Sequence, residues 1–153
     1  MRWLDNRIPP PVVGLLVALA MWGLARWFPV VRFALPWPWL LCLAVALLGG
    51  IVSTAGARAF RRVRTTVNPL HPERASSMVT SGIFRFTRNP MYVGIALVLL
   101  GFFLAFGALS AILGLPAFVG YITRFQILPE ERILEAKFGS AYAAYRARVR
   151  RWL

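Results

Sequence analysis

The chain has 153 residues, and its 59% hydrophobic content and mean hydropathy of +0.64 are far above the values of ordinary soluble domains. Eighteen Lys and Arg against five Asp and Glu give a net charge of +13, but the basic residues lie between apolar runs, which argues against nucleic-acid binding. One cysteine, Cys42, and one histidine, His71, exclude an internal disulfide and argue against a metal site. The sequence therefore predicts a single membrane domain over residues 1–153.

The first two apolar runs predict two membrane spans. The first covers residues 11–28 and is interrupted late by Arg26, whose long side chain can reach the interface. Its beginning resembles a secretory signal peptide, but Asp5 weakens the basic start and further spans follow, so we expect an uncleaved helix. Residues 35–57 carry no charge over 23 residues, which is enough helix to cross a hydrocarbon core of about 30 Å.

The third apolar run is too long for one crossing. Residues 89–123 contain no charge over 35 residues, and one helix of that length would measure about 50 Å. We therefore predict two short spans, 91–105 and 110–128, joined by a turn at residues 106–110. The fold class expected is all-α, an integral membrane protein with four transmembrane helices.

The distribution of basic residues predicts the orientation. Arg26 and Arg32 lie between the first and second spans, and the other Lys and Arg all fall on the opposite side. The positive-inside rule then places both termini and the 58–88 loop in the cytoplasm, as in a protein of the bacterial inner membrane. This loop starts as a basic segment suited to anionic lipid, and its remainder is expected to be a folded lid.

Residues 129–153 predict an amphipathic helical arm. Pro129 followed by Glu130 and Glu131 favours a helix start, since carboxylates complement the positive end of the helix dipole. One apolar stripe follows at helical spacing, namely Leu134, Phe138, Tyr142, Tyr145, Val149 and Trp152. Gly139 and Ser140 are expected to interrupt it. The arm would lie on the membrane surface or fold back on the lid.

Local sequence leaves two interpretations open for the polar residues of the arm. Glu130 and Glu131 either cap a helix only or hold a cation, and Tyr142 and Tyr145 either belong to the buried stripe only or contact a ligand. Two adjacent carboxylates at the cytoplasmic end of a span, in a chain with a net charge of +13, favour a cation site.

Two segments resemble a known family. "VTSGIFRFTRNPMYVG", residues 79–94, is similar to a Gly-x-Tyr-Arg segment followed by Arg-His-Pro-x-Tyr-x-Gly in the isoprenylcysteine carboxyl methyltransferase and phospholipid methyltransferase superfamily. "PEERILEAKFGSAYAAYRARVRRW", residues 129–152, resembles the terminal pattern of that superfamily, with paired Glu, Phe-Gly, two Tyr three apart and a basic end. Together the resemblance covers roughly residues 65–153.

The resemblance implies an integral membrane enzyme that uses S-adenosylmethionine without a Rossmann domain and encloses it at the cytoplasmic face. The sequence is consistent with the absence of a Rossmann domain, because it has no G-x-G-x-x-G motif between a predicted strand and a predicted helix. Carried onto this chain, the catalytic residues would be Arg88, Asn89 and Tyr92. The cofactor contacts would be Arg88, Asn89, Pro90, Tyr92, Gly94, Glu130, Glu131, Tyr145 and Arg148, and no metal would be required.

The chemistry of this cofactor fits these residue types. The glutamates suit its ammonium group or ribose, and Arg88 suits its carboxylate. Tyr92 can stack or hydrogen-bond at the rim, and Pro90 leaves donors free where the helix begins. Asn89 stands where the superfamily usually has His, and Phe84 where it has Tyr. Asn can replace a hydrogen-bond donor but not a proton acceptor, which favours an acceptor that is already ionised.

The leading interpretation is methyl transfer to a lipophilic acceptor that arrives from the bilayer. Candidate acceptors are a prenylated thiol or carboxylate, a phospholipid amine, a small thiol and a sterol-like molecule. A membrane reductase that uses a nicotinamide cofactor, as sterol reductases do, is one alternative. A non-enzymatic membrane protein whose arm binds anionic lipid is the other.

Overall fold

A computed structural model describes residues 5–62 and 77–153, and within these two ranges it contains helices and no strands. The five α-helices are α1 (Pro10–Trp27), α2 (Pro38–Arg62), α3 (Pro90–Phe106), α4 (Gly114–Ile122) and α5 (Leu128–Arg148). Short 3₁₀ turns cover Gly82–Arg85 and Leu109–Leu113, and a π-helical turn covers Thr123–Ile127. The part of the predicted lid between residues 62 and 77 lies outside the described residues.

Three helical segments are long and apolar enough to cross a membrane, which supports a membrane location. They are Pro10–Trp27, Pro38–Arg62 and the continuous segment Leu109–Arg148, while α3 is a shorter apolar helix. Helices α1 and α3 begin and end within one residue of the predicted spans 11–28 and 91–105. Helix α2 starts later than the predicted residue 35, at Pro38, and continues to Arg62 beyond the apolar run.

The predicted turn after α3 forms at Gly107, which ends the helix in a left-handed conformation with φ of 60°. The Phe33 N–H donates to the Gly107 carbonyl over 2.9 Å, and the Leu109 N–H donates to the Val31 carbonyl over 2.8 Å. The α1–α2 connection and the α3–α4 connection are therefore hydrogen-bonded to each other. These bonds fix the end of the bundle that lies away from the motif residues.

The last span and the arm form one continuous helical segment, whereas the sequence predicted a division between residues 128 and 129. In place of a break there is the π-helical turn, in which the Leu128 N–H donates to the Thr123 carbonyl five residues earlier. Pro129 has no N–H, so the carbonyl of Phe125 loses its usual partner and instead accepts the Asn6 N–H over 2.9 Å. The predicted interruption of the arm is confirmed at Gly139, which has φ of 51°.

The core lies where α1, α3 and α4 meet, and its most buried side chains include Met21, Leu99, Phe118 and Ile122. Outward faces of α1 and α2 are apolar and exposed, and they include Leu15, Leu16, Leu19, Leu40, Leu43, Leu47, Leu48 and Ile51. A soluble monomer rarely exposes so large an apolar surface, whereas lipid contact requires one.

Helices α2 and α3 pack closely because glycines remove the side chains between them. A Cβ atom on Gly94 would overlap the Ser53 hydroxyl and the Gly49 carbonyl oxygen. The Ser53 hydroxyl in turn donates to the Met91 carbonyl over 3.3 Å. Lipid tails give little hydrophobic drive for one helix to associate with another, so van der Waals packing and hydrogen bonds between closely packed helices supply most of the attraction.

We predict that Gly94→Ala destabilises the protein by about 1–3 kcal/mol, because the added methyl group has no space against backbone atoms of α2. Gly50→Ala is the matched control, since a Cβ there meets nothing within 4 Å and alanine favours helix by up to about 1 kcal/mol. Thermal unfolding of both variants in detergent measures the difference. Equal melting temperatures for the two variants would contradict this packing.

Candidate functional site

The loop before α3 brings a polar segment to the start of an apolar helix. Pro90 occupies the first helical position, and Asn89 precedes it in a non-helical conformation, as expected for a residue before proline. The Asn89 N–H donates to the hydroxyl of the buried Thr87 over 3.1 Å. Thr87, Arg88 and Asn89 therefore form a corner directly before α3, and the Asn89 N–H is satisfied within it.

This corner holds the carboxy-terminal segment of the chain. The Arg88 N–H donates to the Arg150 carbonyl over 3.0 Å. The Arg151 carbonyl accepts both the Asn89 side-chain amide, at 2.9 Å, and the Thr87 hydroxyl, at 3.3 Å. Asn89 thus acts as a hydrogen-bond donor at the position where the superfamily usually has His, and a donor role is one that Asn can fill.

Glu131 is the most constrained carboxylate of the site. It is buried, with 6% of its surface exposed. Arg151 binds it through two parallel bonds of 2.9 and 2.8 Å, and Arg88 approaches it at 3.1 Å. Arg88 also donates to the Tyr142 hydroxyl over 3.3 Å. Two guanidinium groups therefore neutralise Glu131, and its hydrogen bond raises the pKa of Arg151.

Glu130 has a different environment. It accepts a hydrogen bond of 2.5 Å from the Tyr92 hydroxyl, and it has no cationic partner among the described residues. Glu130 belongs to α5, beyond the apolar part of the last helical segment. Burial raises its pKa to about 8; the Tyr92 hydrogen bond opposes that rise, and the charge of Glu131 adds to it. Of the two glutamates, Glu130 is the one that can still accept a cation.

Arg88 keeps one unused donor. Its Nε atom is buried and has no hydrogen-bond partner among the described residues, although its terminal nitrogen reaches Glu131 and Tyr142. A buried N–H without a partner costs free energy, which a ligand oxygen placed there would recover. The site thus offers one uncompensated carboxylate and one unsatisfied guanidinium donor.

The structure brings five of the predicted residues together: Arg88, Asn89, Tyr92, Glu130 and Glu131. The other four have different surroundings. Pro90 packs against Gly56, and Gly94 faces Gly49 and Ser53 of α2. Tyr145 is buried, its hydroxyl donates to the Phe84 carbonyl over 2.7 Å, and burial raises its pKa. Arg148 is exposed. Cofactor contacts by all nine residues stay predictions.

Sequence reasoning missed three residues that shape the site. Arg151 is not among the predicted site residues, yet it binds a glutamate twenty residues earlier. Asp5 accepts a bond of 2.8 Å from Arg132, and the side chain of Gln126 donates to the Ile8 carbonyl over 2.7 Å. The partners are distant in the sequence, so no local pattern could have indicated them.

Comparison with known proteins agrees with the motifs. A sequence model of the family described as phospholipid methyltransferase matches residues 37–141. An uncharacterized protein of Haemophilus influenzae is 46% identical to this chain over 63 residues, which is 41% of this chain and 100% of that protein. No solved structure matches. The matched range contains both partners of the Tyr92–Glu130 hydrogen bond and ends before Tyr142 and Arg151.

We predict that Glu131→Gln destabilises the protein by about 3–5 kcal/mol, because it leaves the Arg88 and Arg151 charges without their counterion. The control is Glu135→Gln, which breaks an exposed pair with Arg146 in the same helix and should change the unfolding free energy by less than about 1 kcal/mol. Denaturant unfolding in detergent micelles measures both. If Glu131→Gln were as stable as Glu135→Gln, the ion pairs of Glu131 would not be needed for stability, which would contradict the prediction.

We predict that Glu130 makes stability fall as the pH rises from about 5 to 8. Its folded pKa of about 8 exceeds the ordinary value of 4.5, so in this window the folded state holds a proton that the unfolded state has released. Glu130→Gln keeps an acceptor for Tyr92 but cannot titrate, so its melting temperature should lose this component of the pH dependence. A parent protein that gains stability over this window relative to the variant would contradict the raised pKa.

Proposed function

The chain belongs to the phospholipid methyltransferase family, and from this premise we propose that it transfers a methyl group from S-adenosylmethionine to a lipophilic acceptor at the cytoplasmic face of a membrane. The observation that carries the proposal is the contact between Tyr92 and Glu130, beside Arg88. It joins the two segments of the sequence that resemble the superfamily. The family match favours this reaction over nicotinamide-dependent reduction and over a non-enzymatic role in lipid binding.

The polar groups of the site fit the amino-acid end of this cofactor. Glu130, with no cationic partner among the described residues, supplies a carboxylate for the ammonium group. The unsatisfied Nε of Arg88 supplies a donor for the carboxylate. Because Glu131 is already bound by Arg88 and Arg151, we assign it the role of holding Arg88 in place. This assignment separates the two glutamates, for which the sequence predicted a common role.

S-adenosylmethionine, when bound, supplies a methyl group on a positively charged sulfur, which becomes neutral as the carbon–sulfur bond breaks and the acceptor bonds to the methyl carbon. The protein then mainly aligns the two reactants and excludes water. Tyr92 fixes one oxygen of Glu130 and leaves the other for the cofactor. Asn89 is occupied as a donor to the Arg151 carbonyl, which favours an acceptor that has already lost its proton.

The remaining features of the proposal concern topology. We propose one domain with four spans, in which α3 crosses as a short helix, and both termini in the cytoplasm of a bacterial cell. The basic end of α2, the corner at residues 87–89 and the arm then lie on the same side, as the positive-inside rule requires. An acceptor with a lipid tail would reach Tyr92 laterally between apolar helices.

We predict that the purified protein binds S-adenosylhomocysteine and that Glu130→Gln weakens this binding at least about tenfold, because the ammonium group loses its counter-charge. Glu135→Gln is the control, since Glu135 is exposed on the same helix and pairs with Arg146. Thermal shift and calorimetry in detergent measure the affinities, because a ligand of the folded state raises its stability. Stabilisation by NADPH alone would indicate the reductase, and no response to either ligand would indicate a non-enzymatic protein.

A further inference from the structure

We propose that the amino-terminal segment Asp5–Ile8 is a positioning element of the site. It holds the π-helical turn Thr123–Ile127 in place and so fixes the rotation of α5 that brings Glu130 to Tyr92. Gln126 is the residue through which it acts. The contacts between this segment and the turn are observed in the structure. Their importance for catalysis rests on the proposed function.

The π-helical turn decides which side chains of α5 face α3. Each residue of an α-helix is rotated by about 100° from the one before it, so a turn that contains one extra residue rotates everything that follows by about that angle. Glu130 lies three residues after this turn. If the turn relaxed to ordinary α-helix, the side chain at residue 130 would point about a quarter of a turn away from Tyr92.

A π-helical turn is rare because its hydrogen bonds are less favourable, so something must stabilise it. Here Pro129 leaves the Phe125 carbonyl without a helical partner, and the Asn6 N–H fills that place over 2.9 Å. Asn6, whose N–H makes this bond, has a left-handed backbone conformation with φ of 55°. The amino-terminal segment thus supplies the donor that the helix lacks.

Side-chain contacts tie the same two segments together. Gln126 donates to the Ile8 carbonyl over 2.7 Å and is almost fully buried, with 1% of its surface exposed. Asp5 pairs with Arg132 at 2.8 Å and with Arg124 at 3.5 Å, but these arginine side chains are 56% and 45% exposed. Exposed pairs contribute little, and a buried donor without its acceptor costs more, so Gln126 carries most of the effect.

The carboxy-terminal segment also contacts the π-helical turn. The Trp152 indole N–H donates to the Thr123 hydroxyl over 3.1 Å. Trp152 follows Arg151, whose guanidinium binds Glu131. The amino-terminal segment and the carboxy-terminal segment are therefore both hydrogen-bonded to this turn.

The experiment is a double-mutant cycle on the affinity for S-adenosylhomocysteine. Gln126→Leu removes the donor to Ile8 and should weaken binding about tenfold. If Gln126 acts through Glu130, adding Gln126→Leu to Glu130→Gln should weaken binding by less than about twofold more. Arg146→Gln, which breaks an exposed pair in the same helix, is the control and should leave the affinity unchanged. Full additivity of the two substitutions would overturn the proposal.

A second measurement does not depend on any cofactor. The groups that face Glu130 are Tyr92 from α3 and Glu131 from α5. If Gln126→Leu rotates Glu130 out of its buried position beside Tyr92 and toward water, the burial that raises its pKa is lost. The fall in stability between pH 5 and 8 that Glu130 causes should then disappear in that variant. A variant that keeps this fall would overturn the positioning role. A parent protein that has the fall but does not bind S-adenosylhomocysteine would instead overturn the proposed function.

Asp5→Asn covers the case in which Gln126→Leu fails to fold. It weakens only the exposed pairs with Arg124 and Arg132, so the protein should remain folded. We expect Asp5→Asn to weaken binding of S-adenosylhomocysteine about two- to threefold. In the Glu130→Gln background the same substitution should leave the affinity unchanged. An equal loss of affinity in the Glu130→Gln background would overturn the proposal.

Discussion

The site depends on one interaction, in which the buried carboxylate of Glu131 forms ion pairs with the guanidinium groups of Arg88 and Arg151. Glu131 must be paired because an isolated buried charge is very costly, and Arg151 and Arg88 approach it from two different segments of the chain. Neighbouring residues of a helix point about 100° apart, so a fixed Glu131 limits where Glu130 can point. The direction that remains leads to the Tyr92 hydroxyl. The ion pairs thus orient Glu130, the residue that carries the proposed chemistry, while Glu131 itself has no proposed contact with the ligand.

Two chemically identical side chains acquire different properties here because their surroundings differ. Glu131 is paired with two arginines, Arg88 and Arg151. Glu130 has only a neutral phenol beside it and a like charge next to it, so burial dominates and raises its pKa. A cationic ligand would reverse that balance, since it supplies the counter-charge that the protein withholds. Glu130, which has no counter-charge from the described residues, is suited to binding a cation. Glu131, which pairs with Arg88 and Arg151, is suited to stabilising the fold.

The sequence predicted the parts of the structure that local chemistry controls. The apolar runs located α1 and α3 within one residue, the glycine at 107 located the turn, and the glycine at 139 located the break in the arm. Motif resemblance brought Arg88, Tyr92 and the two glutamates together. The π-helical turn could not be predicted, because Pro129 reads as a helix start and the donor that replaces its N–H comes from Asn6. The Arg151 partner was missed for the same reason.

The spacing of the motif Pro-x-Tyr-x-Gly follows from the two surfaces that α3 must serve. Residues 90 and 94 are four apart, so they lie on one face of the helix, and both pack against glycines of α2, at Gly56 and Gly49. Residue 92 is rotated by about 200° from residue 90 and so points away from α2, toward α5. Close packing on one face fixes the height and rotation of α3, and that in turn fixes the Tyr92 hydroxyl. Gly94 therefore contributes to the site through the helix that it allows to approach, which explains a glycine in the motif without requiring that it contact a ligand.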